Sequence, residues 1–449
     1  MNSSADPQGR KFRPWPTPLA GVLLAAAFIY VWIVPLFRPR GHYLWGYYRL
    51  TDLYLGLPLA LVVMSVIAIK LSPPKYRRKV AVRLVSVLGA VLFTVLVVDV
   101  VYALIVRGAG NPDFWLDQAH IDRAYNDADD ELGFVRKPGI SWRGYIKGAD
   151  RFVDYRTDGN GFRNSSTEHA ADVVFIGDSF TEASEVNDDD IFVHRVKAAA
   201  GLSVVNLGRS GYGPQQEFIV LQKYGLTYKP RFVVWQLFEG NDLLEAANYA
   251  AWKKNPQFSK VSLVDRYFEH SLVTRVLNKT SVAEDRGSAW FTMKYSDGSA
   301  ARLPLNFYYD PSQPAKLPVA MAETDRVIGM AHQLCQSHGI QLLLIYVPTM
   351  IHVMEPYVAF EREEDQNRYL PGVANNGRQD FSVRVAELCA QVGCTFVDSF
   401  TALRQAAATD NRNLYIPRDE HLDVRGHEVI AQLVTNWIRK YDTKRASSK

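Results

Sequence analysis

Cysteine is scarce in this chain. The 449 residues include three, Cys335, Cys389 and Cys394, and their spacing excludes the usual zinc-ligand patterns. In an exported domain Cys389 and Cys394 would bridge a helix end to the next strand and leave Cys335 alone; equally, all three are small buried residues, and both readings stay open. Internal repeats and low-complexity tracts are absent, which removes the solenoid and tail-like classes. An excess of one charge is lacking too: the net charge is +4, and nothing points to nucleic acid as a partner.

Long uncharged runs, in contrast, are present. Residues 18–37, 51–70 and 84–106 are largely apolar, each near the length that crosses a bilayer as a helix. A signal peptide has one short apolar core and a cleavage site; three full-length segments in succession predict three transmembrane helices over residues 1–107. Lys and Arg set the orientation. Arg10, Lys11 and Arg13 precede the first segment, and Lys70, Lys75, Arg77, Arg78, Lys79 and Arg83 surround the second loop. The chain turns acidic after Arg107, at Asp113, Asp117, Asp122 and Asp127. The amino terminus is therefore expected in the cytoplasm and everything after Arg107 on the periplasmic or extracellular side of the inner membrane. Asp99, in the third segment, reads as a snorkelling or helix-pairing residue.

Residues 108–153 read as a linker, 154–440 as the soluble domain and 441–449 as a tail. Val173-Val174-Phe175-Ile176, Leu202 to Leu207 and Phe232 to Phe238 are apolar runs that suit strands buried on both faces of a parallel sheet. Each ends in a small polar loop: Gly177-Asp178-Ser179, Gly208 to Gly213, and Glu239-Gly240-Asn241-Asp242. In a parallel sheet those loops share the edge where open α/β folds bind ligands. Residues 243–319 break the rhythm as an insertion, with a β-hairpin around Ser296-Asp297-Gly298 expected as a lid or specificity element. The βα order resumes with helix 320–336, strand 340–347, helix 381–392, strand 395–397 and a closing helix over 424–440.

These loops carry a set of groups suited to acyl transfer, which needs a nucleophile, a base, a group orienting the base and donors for the oxyanion. Ser179 supplies the hydroxyl, His421 the base and Asp419 the orienting carboxylate. The N–H groups of Ser179 and Gly211 and the side-chain amide of Asn241 supply the donors.

The blocks GDSF at Ser179, NLGRSG at Gly211, GND at Asn241 and DEH at His421 resemble, in order, the four sequence blocks of the SGNH/GDSL hydrolases. The resemblance covers roughly residues 154–440. It implies an α/β, flavodoxin-like three-layer sandwich with a parallel sheet, a Ser179–His421–Asp419 triad, an oxyanion hole from Ser179, Gly211 and Asn241, and no metal or organic cofactor. With the anchor, the expected function is a membrane-bound serine esterase removing acyl groups, O-acetyl above all, from a cell-envelope or exported carbohydrate. Two alternatives stand beside it: an O-acyltransferase served by a multispanning acyl-transfer partner, and a non-catalytic glycan-binding subunit.

The sequence departs from the family pattern twice. Asp419 lies two residues before His421 where members commonly have three, a spacing similar to that of alginate O-acetyltransferases, and it leaves Glu420 and Asp423 as substitutes. Ala183 stands where many relatives have glycine. Of the neighbours, His427 is expected as a surface or packing residue, Asp178 and Asp242 as holders of their loops, and Tyr212 and Gln215 either as helix-start residues or in touch with substrate.

Overall fold

Four apolar runs are buried because helices cover both of their faces: Val173–Ile176 (β1), Val204–Asn206 (β2), Phe232–Phe238 (β3) and Gln341–Val347 (β4). A fifth, Thr395–Asp398 (β5), is less covered and sits at the sheet edge. The computed structural model describes residues 65–108, 125–254, 289–305, 317–369 and 378–447, save 68, 147 and 368. All the strand pairs of this sheet are parallel, in the order β2-β1-β3-β4-β5. That is the flavodoxin-like order, whose switch point lies beside β1.

Alternation along the strands builds two cores. Val173, Phe175, Val234 and Ile345 face Phe192–Ala200 (α1) and the closing helix Val424–Ser447 (α7), through Phe192, Val196, Ile430 and Val434. Val174, Ile176, Trp235 and Leu344 face Pro214–Lys223 (α2), Leu317–Ser337 (α4) and Arg378–Val392 (α5). Each fully buried Val, Leu or Ile contributes about 1.5–3 kcal/mol relative to exposure. Helix Asp242–Lys254 (α3) packs on α2 and α4, on this second face. A helix that reading the sequence missed, Phe400–Thr409 (α6), packs beside α7.

Several expected boundaries are corrected. Residues 126–153 are no linker: Asn126–Asp129 pairs with Gly133–Arg136, and Ser141–Ile146 pairs with Arg151–Arg156, in two antiparallel hairpins. These strands are short and carry few apolar residues, so they read as loop; Leu132, Trp142 and Val153 nevertheless are buried. The 243–319 insertion begins later than expected, since α3 belongs to the α/β framework. Its hairpin pairs Trp290–Lys294 with Ala300–Pro304, and a third strand, Val358–Phe360, joins the first of these. Residues 255–288 and 306–316 lie outside the described residues. The expected tail is helical as far as Ser447, a continuation of α7. Cys389 and Cys394 are disulfide-bonded, joining the end of α5 to the start of β5, while Cys335 is free and buried.

The described residues 65–108 belong to a unit separate from the α/β domain. In it, helix Arg77–Gly108 encloses the third predicted span, and Asp99 is buried. The first span, and the second up to residue 64, lie outside the described residues. Taken over the described residues, no helix is long and apolar enough to cross a membrane, so the three-span expectation gains no support from the structure.

Candidate active site

Ser179 opens a one-turn helix, Ser179–Glu182, directly after β1. Asp178 caps it, its carboxylate accepting the Phe180 N–H at 2.9 Å. The turn needs glycine at 177: with φ +154, a Cβ there would lie 2.4 Å from Thr181 Oγ1. The turn ends at Ala183, in the left-handed conformation (φ 53) that glycine adopts more readily. At the family departure the alanine therefore carries the strain an L-residue meets in this conformation.

His421 reaches Ser179 from the loop before α7. Its Nε2 is 2.8 Å from Ser179 Oγ, and its Nδ1 is 2.5 Å from Asp419 Oδ1. The ring also packs on Phe180 at 4.9 Å between centroids. The two-residue spacing works because the loop is tightly wound. Arg418 and Glu420, flanking Asp419, both have φ 71, and Ile416 bonds across the turn to His421 O and from Glu420 N. Strain of this kind concentrates at functional sites. Of the two substitutes, Asp423 pairs with Arg151 at 2.7 Å, and Asp419 is the carboxylate within bonding distance of the imidazole.

Gly211 and Asn241 lie in the loops after β2 and β3, the strands flanking β1, so all three loops open on one sheet edge. Gly211 has φ +78. The N–H groups on either side of it are committed, Ser210 to Glu182 Oε2 at 2.6 Å and Tyr212 to Arg209 O at 3.2 Å. Asn241 has its side-chain oxygen buried with no hydrogen-bond partner among the described residues; the donor an oxyanion needs is its side-chain nitrogen.

The remaining neighbours are structural. Asp242 accepts the Phe238 N–H at 2.7 Å, and Tyr212 and Gln215 bond to the backbone of Phe134 and Ala246. His427 is buried against Phe192, its rings 5.7 Å apart, and is a packing residue. Burial holds its pKa down to about 3, so the ring is neutral.

Sequence reasoning missed a buried ionic cluster behind the serine. Glu182 accepts from Arg209 at 2.7 Å, Arg136 at 3.1 Å, the Tyr155 hydroxyl and the Ser210 N–H. Burial opposes its charge, but Arg209 and Arg136 prevail and hold the carboxyl down to about 2. Glu182 thus ties the nucleophile turn to the Gly211 loop. No motif flags it, since a Glu after a turn reads as solvated.

Electrostatics at the base run the other way. Burial would lower the pKa of His421, but the carboxylates of Glu185, Asp419 and Asp178 together push it up to about 10. Asp419 is lowered by His421 against its own burial, and Asp178 is raised by burial to about 6. Glu185, Asp419 and His421 bring one carboxylate or imidazole atom each within 4.8 Å of one another, a cluster in which Nδ1 is engaged by Asp419.

The geometry supplies a hydroxyl, a base that can take its proton, a carboxylate that fixes the base, and an edge lined by N–H and amide groups, as acyl transfer requires. Residues 175–429, more than half of the chain, match the model of the GDSL-like Lipase/Acylhydrolase family. No curated protein matches. Similar solved structures include an acetylxylan esterase from Geobacillus stearothermophilus, at 14% identity over 59% of this chain and 93% of that one, with a TM-score of 0.32. Another is a GDSL-like lipase from Bacteroides thetaiotaomicron, at 14% identity over 60% and 88%, with a TM-score of 0.31. A likeness of that degree says nothing of what this chain acts on. Ser179, Gly211, Asn241, Asp419 and His421 all fall inside the family match, and the chain belongs to the GDSL-like lipase/acylhydrolases, an ester-hydrolysing enzyme.

Proposed function

We propose that the protein is a membrane-anchored serine esterase that removes acyl groups, O-acetyl above all, from a cell-envelope or exported carbohydrate. The observation that carries the reading is the continuous chain of contacts from Ser179 Oγ through His421 to Asp419. Ser179 attacks the ester carbonyl and His421 takes its proton. The oxyanion is held by the N–H groups of Ser179 and Gly211 and by Asn241. The alcohol leaves with the proton from His421, and water resolves the acyl-enzyme by the same path in reverse.

The anchor rests on the three apolar segments of the sequence and the clustering of Lys and Arg at the amino terminus and second loop, with acidic residues after Arg107. Val87, Phe93 and Val98 on helix Arg77–Gly108 are exposed, as suits a surface that meets lipid. These favour a catalytic domain outside the inner membrane, where exported carbohydrate would be met. A second reading, transfer of the acyl group to a sugar hydroxyl with a multispanning partner as acyl source, is favoured by the Asp419-to-His421 spacing.

One experiment addresses both readings. Intact mass after incubation with acetyl-ester donors should show an acetyl adduct on wild type and none on Ser179→Ala. Added sugar acceptors separate acetylated sugar from free acetate. An adduct that persists in Ser179→Ala would remove Ser179 as the nucleophile.

A further inference from the structure

Glu185 is a buried carboxylate that the reaction as described leaves unused. Its Oε1 lies 4.0 Å from His421 Nδ1 and accepts the Ser184 hydroxyl at 2.6 Å. Its Oε2 is buried with no hydrogen-bond partner among the described residues. The backbone around it is held from two directions. Fully buried Arg163 bonds the carbonyls of Ala183 and Val186, and Arg151 bonds the carbonyl of Glu185. The side chain is therefore aimed at the imidazole by a fixed frame.

We infer that Glu185 is a second carboxylate acting through His421, sharing with Asp419 the stabilisation of the imidazolium that forms when Ser179 gives up its proton. The side chains differ in exposure in a way that fits two roles: Asp419 is 38% exposed and Glu185 5%. Asp419 accepts the Nδ1 proton and fixes the tautomer. Glu185 makes no direct bond to the ring and supplies charge from a drier position, where an unscreened charge acts more strongly. Burial raises the Glu185 pKa and the Asp419 charge adds to the rise, while His421, the Ser184 hydroxyl and Arg163 oppose it. The other charged groups facing His421 are Asp419 on its own loop and Asp178 on the nucleophile turn; His427 on α7 is neutral.

The inference rests on His421 as the base of the proposed esterase, and its test is a pH profile. In Glu185→Gln the acid limb of kcat/KM should move to lower pH by about one unit or more. Because the transition state carries the same imidazolium, the plateau should fall by up to about tenfold for each unit of that movement, with rates below the limb nearly unchanged. A purely structural role would scale the whole profile down without moving the limb, and that result would overturn the inference. Should the Gln variant not fold, Glu185→Asp withdraws the charge by one methylene and should move the limb the same way by less; an unmoved limb there overturns it equally. NMR titration of the His421 ring in Ser179→Ala, with and without Glu185→Gln, reads the same shift without turnover. Failure of the serine-esterase reading is thereby distinguished from failure of the Glu185 assignment.

Discussion

The nucleophile turn and the base loop are joined by the Ser179–His421 hydrogen bond, yet they are built on different principles. Behind Ser179 the chain is cross-linked by charge: Glu182 gathers Arg136, Arg209, Tyr155 and the Ser210 N–H in a site closed to solvent. Around His421 the chain is wound by backbone bonds through two residues of positive φ, with Asp419 partly open to solvent. The first region secures position by interactions that are expensive to break singly, because each leaves a buried charge uncompensated. The second secures it by local conformation, where removing a side-chain charge alters chemistry more than folding.

That contrast can be tested in order of expected effect. Ser179→Ala, at the junction, should lower kcat for acetyl-ester hydrolysis by about 10⁵-fold or more while leaving the denaturation midpoint within the range of a surface change. An inactive variant that is also unfolded would place Ser179 in the framework and erase the distinction. Glu182→Gln should cost about 3–5 kcal/mol of stability, read from urea unfolding, because Arg136 and Arg209 lose their buried counter-charge. Its pH dependence follows from linkage. A carboxyl held at about 2 in the fold, against an ordinary value of 4.5, contributes stability that is present above pH 4.5 and lost as pH falls towards 2. That acid-sensitive increment should vanish in the variant.

Asp419→Asn should show the opposite balance. We expect the plateau of kcat/KM to fall on the order of 10³-fold, towards the roughly 10⁴-fold of the reference triad, because an amide no longer holds the Nδ1–H tautomer and Glu185, which makes no bond to the ring, does not replace that role. Stability should change by less than about 1 kcal/mol, as for partly exposed pairs. A stability loss as large as that of Glu182→Gln would show both regions to be held alike. The smallest effect is Ala183→Gly, which should stabilise by about 0.5–1 kcal/mol through relief of the left-handed alanine; a loss would mean that the buried methyl outweighs the strain.

How much of this was legible in the sequence depends on the kind of signal. β1 and β3 announce themselves as unbroken apolar runs, and the polar loops after them place Ser179 and Asn241 at one edge through sheet order alone. Asp419 and His421 were readable from their block, although the winding that makes a two-residue spacing work needs positive φ at Arg418 and Glu420, which neither residue type signals. Glu182, Arg136 and Arg209 were invisible because charged residues in turns and short strands look solvated until the chain folds over them. α6 carries a usable signal in the helix-forming run of Phe400–Thr409.

Arg136 has a practical consequence for anyone dividing the molecule. It reaches the catalytic framework from a hairpin that begins at Asn126, well upstream of the first family block. A truncated protein started at residue 154 would retain every residue assigned to chemistry, yet Glu182 would face one guanidinium in place of two, and Gln216 and Tyr212 would lose the carbonyls of Leu132 and Phe134. A cut that leaves the catalytic framework intact belongs before residue 126.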